Sequence, residues 1–553
     1  MPWESVSNEK RQKIGEGLYL LYFAVMIGTR AAGLYEGMTI YNITLVIGML
    51  LFGCKMLVTR HTVKEYAVAA FFLLVAGIVY LHTGEKGLLV CFTMMLGMKG
   101  VSEIKVIKTG FLVACVIILF RIFTGAFGLF PEVYYTQVRE GMGMNFRHSL
   151  GYAHPNTLHM NVLMLSMLGM YLITKALAKS RAYLVGDGRS EADRKYKHES
   201  LIKIVLYSAI VFIFNIYIFQ YSYSRTGLLA CAAFLFVNLW FFLAKKPRLF
   251  EKIVCYISFP VVCFIAIVLP FVLPEKIYDF VDHKFFTTRL SIARYFWSNN
   301  SVSLFGIRLV NPTDWFQSYG LDMAQLYLFL QLGIVAFVVV SALTMWFIHY
   351  SIVKGNMQEL AVLMGMLCLG IWEPLLYNLG FKNFVYVFMG AALYRFMDEK
   401  FGEKEAVAAS EVVETAASEE MGWSVKILGT VWLEKIKITS VLKALACGVL
   451  AGVCAMMIFI LATNAPSNYY GSRQMGENGY SLYMEPLYFT PSQIAQMEAS
   501  GDIIVGYESE SVPMYEFGSE IAASEYRKRI MSAAVFAGIA AAILYLLIFG
   551  RDK

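Results

Sequence analysis

In NIYIFQYSYSRTGLLACAAFL, residues 215 to 235, two apolar stretches meet at Ser224, Arg225 and Thr226 with almost nothing between them. A guanidinium at such a boundary, beside two hydroxyls and the free amides of a helix start, suits bidentate contact with a phosphate oxygen. The plainer alternative is an arginine that snorkels to the interface. Further along, TTRLSIARYFWSNNSVSLFGIRLV adds Arg289, Arg294 and Arg308. A helix over about 286 to 298 would put Arg289 and Arg294 on neighbouring faces, able to grip one diphosphate from two directions, with Trp297, Trp315 and Tyr319 as flat surfaces for sugar rings. The same segment also suits an amphipathic helix lying on the bilayer.

A third cluster, MGMNFRHSLGYAHPNTLHMNVL at 142 to 163, gathers Arg147, His148, His154, Asn156 and His159 where an apolar stretch begins. His154 precedes Pro155 and is expected to be extended at the helix start, with Asn156 near the amides of the first turn. The histidine spacing matches no common metal-ligand pattern, so a hydrogen-bonded cluster, substrate contact and proton transfer remain open. Asp322, in GLDMAQLYLFLQLGIVAF, and Glu373, in GIWEPLLYNLG, are carboxylates at membrane depth, where such groups are paired or functional. Each is a possible counter-ion for an arginine, and Asp322 is also placed as a helix N-cap.

The elements that must position these groups follow from composition. The chain is 58% hydrophobic and 16% charged, against roughly 25% charged in a soluble domain. Apolar runs near the ~20 residues that cross a hydrocarbon core fall at 17–34, 38–57, 67–83, 87–99, 109–128, 152–176, 204–223, 226–244, 253–273, 324–348, 360–378, 384–398, 441–463 and 529–549. This pattern excludes a cytosolic enzyme and a secreted globular domain. The polar start MPWESVSNEKRQKIGEG, followed by a long apolar stretch, predicts no cleaved signal. The net charge of +7 is less informative than its distribution. Segment 175 to 203 and the KKPR at 245 to 248 are rich in Lys and Arg and read as cytoplasmic, which places both termini inside and the arginine-bearing loops outside. Arg30 and Arg121 fall within apolar stretches, unexplained. All nine Cys lie in or beside these stretches, without CxxC or HExxH, and read as small packing residues.

Residues 1–398 form a core of about twelve helices with an outward loop at 274–323. An acidic, Ala- and Ser-rich cytoplasmic linker at 399–440 follows. A two-helix hairpin at 441–553 then encloses an extracellular segment, 464–528, with a helix start expected at Thr490 and Pro491 and a strand-like DIIVGYESESV. Its tyrosines, among them Tyr469, Tyr470, Tyr480, Tyr483 and Tyr488, suit a small core or an interfacial belt as well as glycan stacking.

Tyr-Ser-Arg-Thr-Gly at 223–227, the arginine-bearing loop ending in Phe305 and Gly306, Gly333 and Ile334 after Asp322, and Leu-Gly-Tyr-Ala-His-Pro-Asn at 150–156 resemble the bacterial O-antigen polymerase and O-antigen ligase family. The last of these motifs is similar to the form in Gram-positive capsular polysaccharide polymerases. The resemblance covers roughly 100 to 398. It implies an all-α polytopic GT-C-type glycosyltransferase, acting at the extracellular face of the bacterial cytoplasmic membrane on undecaprenyl-diphosphate-linked oligosaccharides as donor and acceptor, with no cofactor and no metal. By resemblance, Arg225 with Arg289, Arg294 or both would bind the donor diphosphate. Arg147, Asn156, Ser224, Thr226, Arg308 and Glu373 are further substrate-contact candidates. Family ligases carry His-Asn where this chain has Asp322 and Met323. That departure makes Asp322 the first candidate for orienting or deprotonating the acceptor hydroxyl, and His154 the second.

The C-terminal hairpin lies outside the resemblance. Its layout is similar to that of polysaccharide co-polymerases, so a fused chain-length regulator fits, with a flippase as a further candidate partner and no nucleic acid. The expected function is polymerisation of repeat units for capsule or another surface polysaccharide. Transfer of finished glycan to a lipid or protein, as in the ligases, and a flippase-like transporter are the alternatives.

Overall fold

A helix satisfies its own backbone and can therefore bury a twenty-residue apolar run in lipid, and that is what this chain does throughout. The computed structural model describes residues 7–35, 37–129, 134–139, 143–183, 191–244, 247–309, 320–378, 380–401, 438–463, 470–473, 486–487, 514–517 and 519–549. Ten described helices are long and apolar enough to cross a membrane, among them Thr39–Val58, Arg225–Ala244 and Ile334–Lys354. The protein is an all-α polytopic membrane protein. The other four expected spans fall on Asn8–Ala31, whose first turns are charged, on the short helices Gly87–Leu96 and Met357–Leu369, and on Val385–Phe401.

Two expected spans are shorter than the sequence suggests. The stretch at 324–348 is interrupted: Ala324–Leu326 passes into a π-turn at Tyr327–Gln331, and a regular helix begins only at Ile334. The cause is Gly333, at φ 93°, where an added Cβ would lie 2.2 Å from the amide nitrogen of Gly306, itself at φ 86°. The stretch at 360–378 ends as helix at Leu369, and Pro374 then opens a 3-10 turn. The strands Tyr134–Arg139 and Gly143–His148 pair antiparallel, Tyr134 opposite His148.

The chain folds into two compact units that do not follow chain order. The first comprises residues 1–115, 164–178 and 229–428. In it the fully buried Tyr19 and Tyr22 of the first helix reach Met94 O at 2.6 Å and the Thr93 hydroxyl at 2.9 Å. Residues 303–307 clasp 331–335 through Ile307 N to Gln331 O, Ile334 N to Ser303 O and Val335 N to Leu304 O, each 3.0 Å.

The second unit comprises residues 116–163, 179–228 and 429–553. Its hairpin helices Ile438–Ala462 and Ser519–Phe549 pack on small residues: a Cβ on Gly448 would meet Gly538 O at 2.8 Å, and one on Gly452 would meet Ala534 O at 2.8 Å. Three short strands, Tyr470–Arg473 between Pro486–Leu487 and Met514–Phe517, belong to the segment joining these helices. The linker expected at 399–440 falls mostly outside the described residues, as do the helix start at Thr490, the strand at 502–512, and Tyr469, Tyr480, Tyr483 and Tyr488.

Candidate functional site

In the first unit the site is built around Arg289. The helix Arg289–Asn299 starts abruptly because Thr287 and Thr288 both take left-handed backbone, φ 54° and 68°. Seven residues earlier, Asp282 is 1% exposed and accepts hydrogen bonds from the amides of Leu290 at 2.9 Å and Ser291 at 3.1 Å, and from the Ser291 hydroxyl. It caps the new helix from outside, a role that nothing in the sequence around it announces. A cation in a helix's first turn opposes the helix dipole, so Arg289 needs other partners. Its Nε donates to Trp372 O at 2.7 Å, and the guanidinium lies 3.5 Å from Asp322 Oδ2 and 3.5 Å from Glu373 Oε1.

Asp322, Glu373 and Arg289 are thus brought together, with both carboxylates as counter-ions of one arginine. Distances of 3.5 Å are ionic contacts rather than short hydrogen bonds. Asp322 accepts no hydrogen bond among the described residues, and 30% of its side chain is exposed, against 11% for Glu373. Burial raises the Asp322 carboxyl above the ordinary range while Arg289 draws it down. The result is a carboxylate with open lone pairs and an increased appetite for a proton. The expected N-cap role is not found: Met323 occupies that position, and no side chain caps the helix.

Arg294 has a different set of partners. Its Nε donates to Pro270 O, its Nη1 lies 3.2 Å from Glu275 Oε1, and its guanidinium stacks 3.7 Å from the Tyr278 ring centre. Five positions along a helix turn it away from Arg289. Arg308 is exposed. Trp297 stacks on Phe329 at 5.5 Å and 9°, so that face of its ring is already covered. Trp315 and Tyr319 lie outside the described residues.

In the second unit, Glu191–Ser222 and Arg225–Ala244 meet across two residues, with Tyr223 at φ 47° turning the chain. Ser222 organises the turn: its hydroxyl takes the Ser224 amide at 3.2 Å and lies 3.1 Å from His159 Nδ1, while its carbonyl accepts from Arg147 Nε at 2.9 Å. Ser224 and Thr226 hydroxyls are 3.4 Å apart. Gly227 is required because a Cβ there would lie 2.5 Å from the His159 ring. Arg225 alone projects outward, exposed and without a hydrogen bond or ion pair among the described residues.

Arg147 also donates to Asn156 Oδ1 at 2.6 Å, and His154 Nδ1 accepts the Asn156 amide at 3.1 Å. The expected proximity of Asn156 to the helix start therefore takes a specific form. The histidines have separate partners, His148 lying 2.7 Å from Glu525 Oε2 in the C-terminal hairpin. Glu525 also binds Lys528 at 2.7 Å, Lys528 O accepts from the Tyr221 hydroxyl, and the Tyr217 and Ser532 hydroxyls are hydrogen-bonded at 2.9 Å. This buried link joins residues far apart in the chain and leaves no trace in the sequence. Arg121, unexplained in the sequence, donates to Gly151 O at 2.7 Å. No protein family, characterised protein or solved structure matches the chain.

Proposed function

We propose that this protein is a polysaccharide polymerase with a GT-C-type core, joining undecaprenyl-diphosphate-linked repeat units at the extracellular face of the cytoplasmic membrane. The observation that carries the reading is the pairing of Arg289 with an accessible Asp322 that accepts no hydrogen bond among the described residues and whose carboxyl is raised by burial. Glycosyl transfer needs an acceptor hydroxyl to lose a proton as its oxygen bonds to the anomeric carbon. The bond from that carbon to the diphosphate oxygen breaks, and the electron pair leaves with the diphosphate. Asp322 takes the proton. Arg289 holds Asp322 in place and is the positioning residue, since two carboxylates already match its charge. The departing diphosphate calls for a cation that is not already neutralised, a role that the sequence resemblance offers to Arg225. Arg294 would have to give up three contacts to serve the same purpose.

Purified protein in liposomes, supplied with lipid-linked repeat units, tests this. A ladder of products from wild type and single units only from Asp322→Asn is the expected result. Finished glycan moved to a different lipid or protein would instead indicate the ligase reaction.

A transporter is the second reading, and one observation favours it. The helix interrupted between Ala324 and Ile334 holds Gln325, fully buried with neither amide atom hydrogen-bonded among the described residues, and broken helices with buried polar groups mark transport sites. Movement of lipid-linked units across the liposome membrane without bond formation would establish it.

A further inference from the structure

Asp322 serves the acceptor hydroxyl, and the sugar ring that carries the hydroxyl needs a surface of its own. Of the flat surfaces expected from the sequence, Trp297 already has one face covered by Phe329, 5.5 Å away at 9°. Trp372 is placed differently. It lies in the turn after Met357–Leu369, next to Glu373, and its backbone is held on both sides: its amide donates to Leu369 O at 3.0 Å and its carbonyl accepts from Arg289 Nε at 2.7 Å. That same Nε stands 3.5 Å from Asp322 Oδ2. One nitrogen therefore ties the backbone of Trp372 to the base.

The indole is held as well. Its Nε1 donates to Phe285 O at 3.2 Å, and the Phe286 ring lies 6.4 Å away at 33°. A tryptophan of an interfacial belt keeps its N–H in the wet layer and its carbon body in lipid. Here the N–H is committed to the protein, yet the ring is only half-buried. What remains for a partner is flat carbon surface. Beside it stand two carboxylates, Asp322 with 30% of its side chain exposed and Glu373 with 11%.

A flat apolar surface next to groups that only accept hydrogen bonds matches a pyranose, which presents C–H groups on its face and hydroxyl donors at its edge. A lipid chain would match the ring and offer nothing to Asp322. We infer that Trp372 is the stacking platform for the sugar ring that enters beside Asp322, so that ring and hydroxyl are placed by one cluster of fixed side chains. Its assignment to the acceptor rests on the polymerase reading, whereas the saccharide class rests on the indole and the carboxylates.

The test uses the full chain in phosphatidylcholine nanodiscs, titrated calorimetrically with oligosaccharides cut by partial acid hydrolysis from the surface polysaccharide of the cells that make this protein. Trp372→Phe and Trp372→Leu both lose the indole donor, so the flat face is what distinguishes them. Affinity should fall about tenfold in Trp372→Leu, the worth of one aromatic stacking contact, and no more than about threefold in Trp372→Phe. An equal loss in the two would assign the effect to the bond with Phe285 and overturn the platform. No loss in either, or no binding by wild type, would overturn it too. Should the leucine variant not accumulate, the emission of Trp372, taken as the difference between wild type and Trp372→Phe, serves in its place. Saccharide should shield that emission from acrylamide. Quenching by brominated phosphatidylcholine that saccharide leaves unchanged would put the ring in lipid and contradict the assignment. Because binding and not transfer is measured, a protein that holds saccharide through Trp372 but forms no linkage would sink the proposed function and leave the platform standing. A ladder made at the wild-type rate by Trp372→Leu with unchanged saccharide affinity would do the reverse.

Discussion

Arg289 lies 3.5 Å from a carboxylate oxygen of Asp322 and 3.5 Å from one of Glu373, and of the two acids Asp322 is the more exposed. One carboxylate is therefore held and covered while the other is held and open. Asp322→Asn should lower turnover by about 10²- to 10⁴-fold, the usual contribution of a general base, with donor affinity unchanged.

The same residue sets a pH dependence. Burial raises its carboxyl and Arg289 opposes this, with the net effect upward. A base is lost as pH falls through its pKa, so the acid limb of the rate profile should stand above the ordinary value of about 3.9. A raised folded-state pKa means that the folded protein holds the proton more tightly, so ionisation of Asp322 costs stability as pH rises through that window. Asn should remove the cost, and the variant should melt no lower than wild type at neutral pH.

Arg225 is exposed and without partners among the described residues. Arg225→Ala should change stability by no more than about 0.5 kcal/mol yet abolish product formation. Arg225→Lys should rescue poorly if the guanidinium grips phosphate through two bonds. Thermal melting alongside a product assay separates the two effects.

Glu525 lies 2.7 Å from His148 Nε2 and accepts from Lys528 in a buried setting. Glu525→Ala leaves both without their shared carboxylate and should cost roughly 3–5 kcal/mol; pairing it with His148→Ala in a double-mutant cycle measures the coupling. Because the hairpin also supplies the partners of Tyr217 and Tyr221, deleting it should lower protein levels or activity. A stable truncated protein that makes normal linkages of altered length would show a separable regulator instead.

Gly333→Ala forces a Cβ to 2.2 Å from the Gly306 amide nitrogen at φ 93°. It should destabilise by more than the ~1–3 kcal/mol of ordinary overpacking, visible as a lower melting temperature. The clasp that presents Asp322 would open with it.

The membrane helices are legible in the sequence because twenty-residue apolar runs have few other fates. The motif glycines are legible as spacing, and their cause is physical: Gly306 and Gly333 touch, and Gly227 admits His159. Asp322 and Glu373 read as counter-ions for arginines, but that one arginine holds both depends on tertiary contacts. Asp282 escapes a sequence reading because a cap eight and nine residues distant has no local signature. The His148–Glu525 pair escapes it because it joins segments that sequence order keeps apart. The strands at 134–148 have a turn signal, Gly-Met-Gly at 141–143, that is outweighed by the apolar stretches around it.

The most direct test is a gel of lipid-linked glycans from cells lacking this gene and complemented with wild type, Asp322→Asn or Arg225→Ala. A ladder with wild type, and single repeat units accumulating at the outer face with either variant, is the expected result. Long chains still made in the cells that lack the gene, left on their lipid carrier, or units trapped at the inner face, would contradict polymerisation.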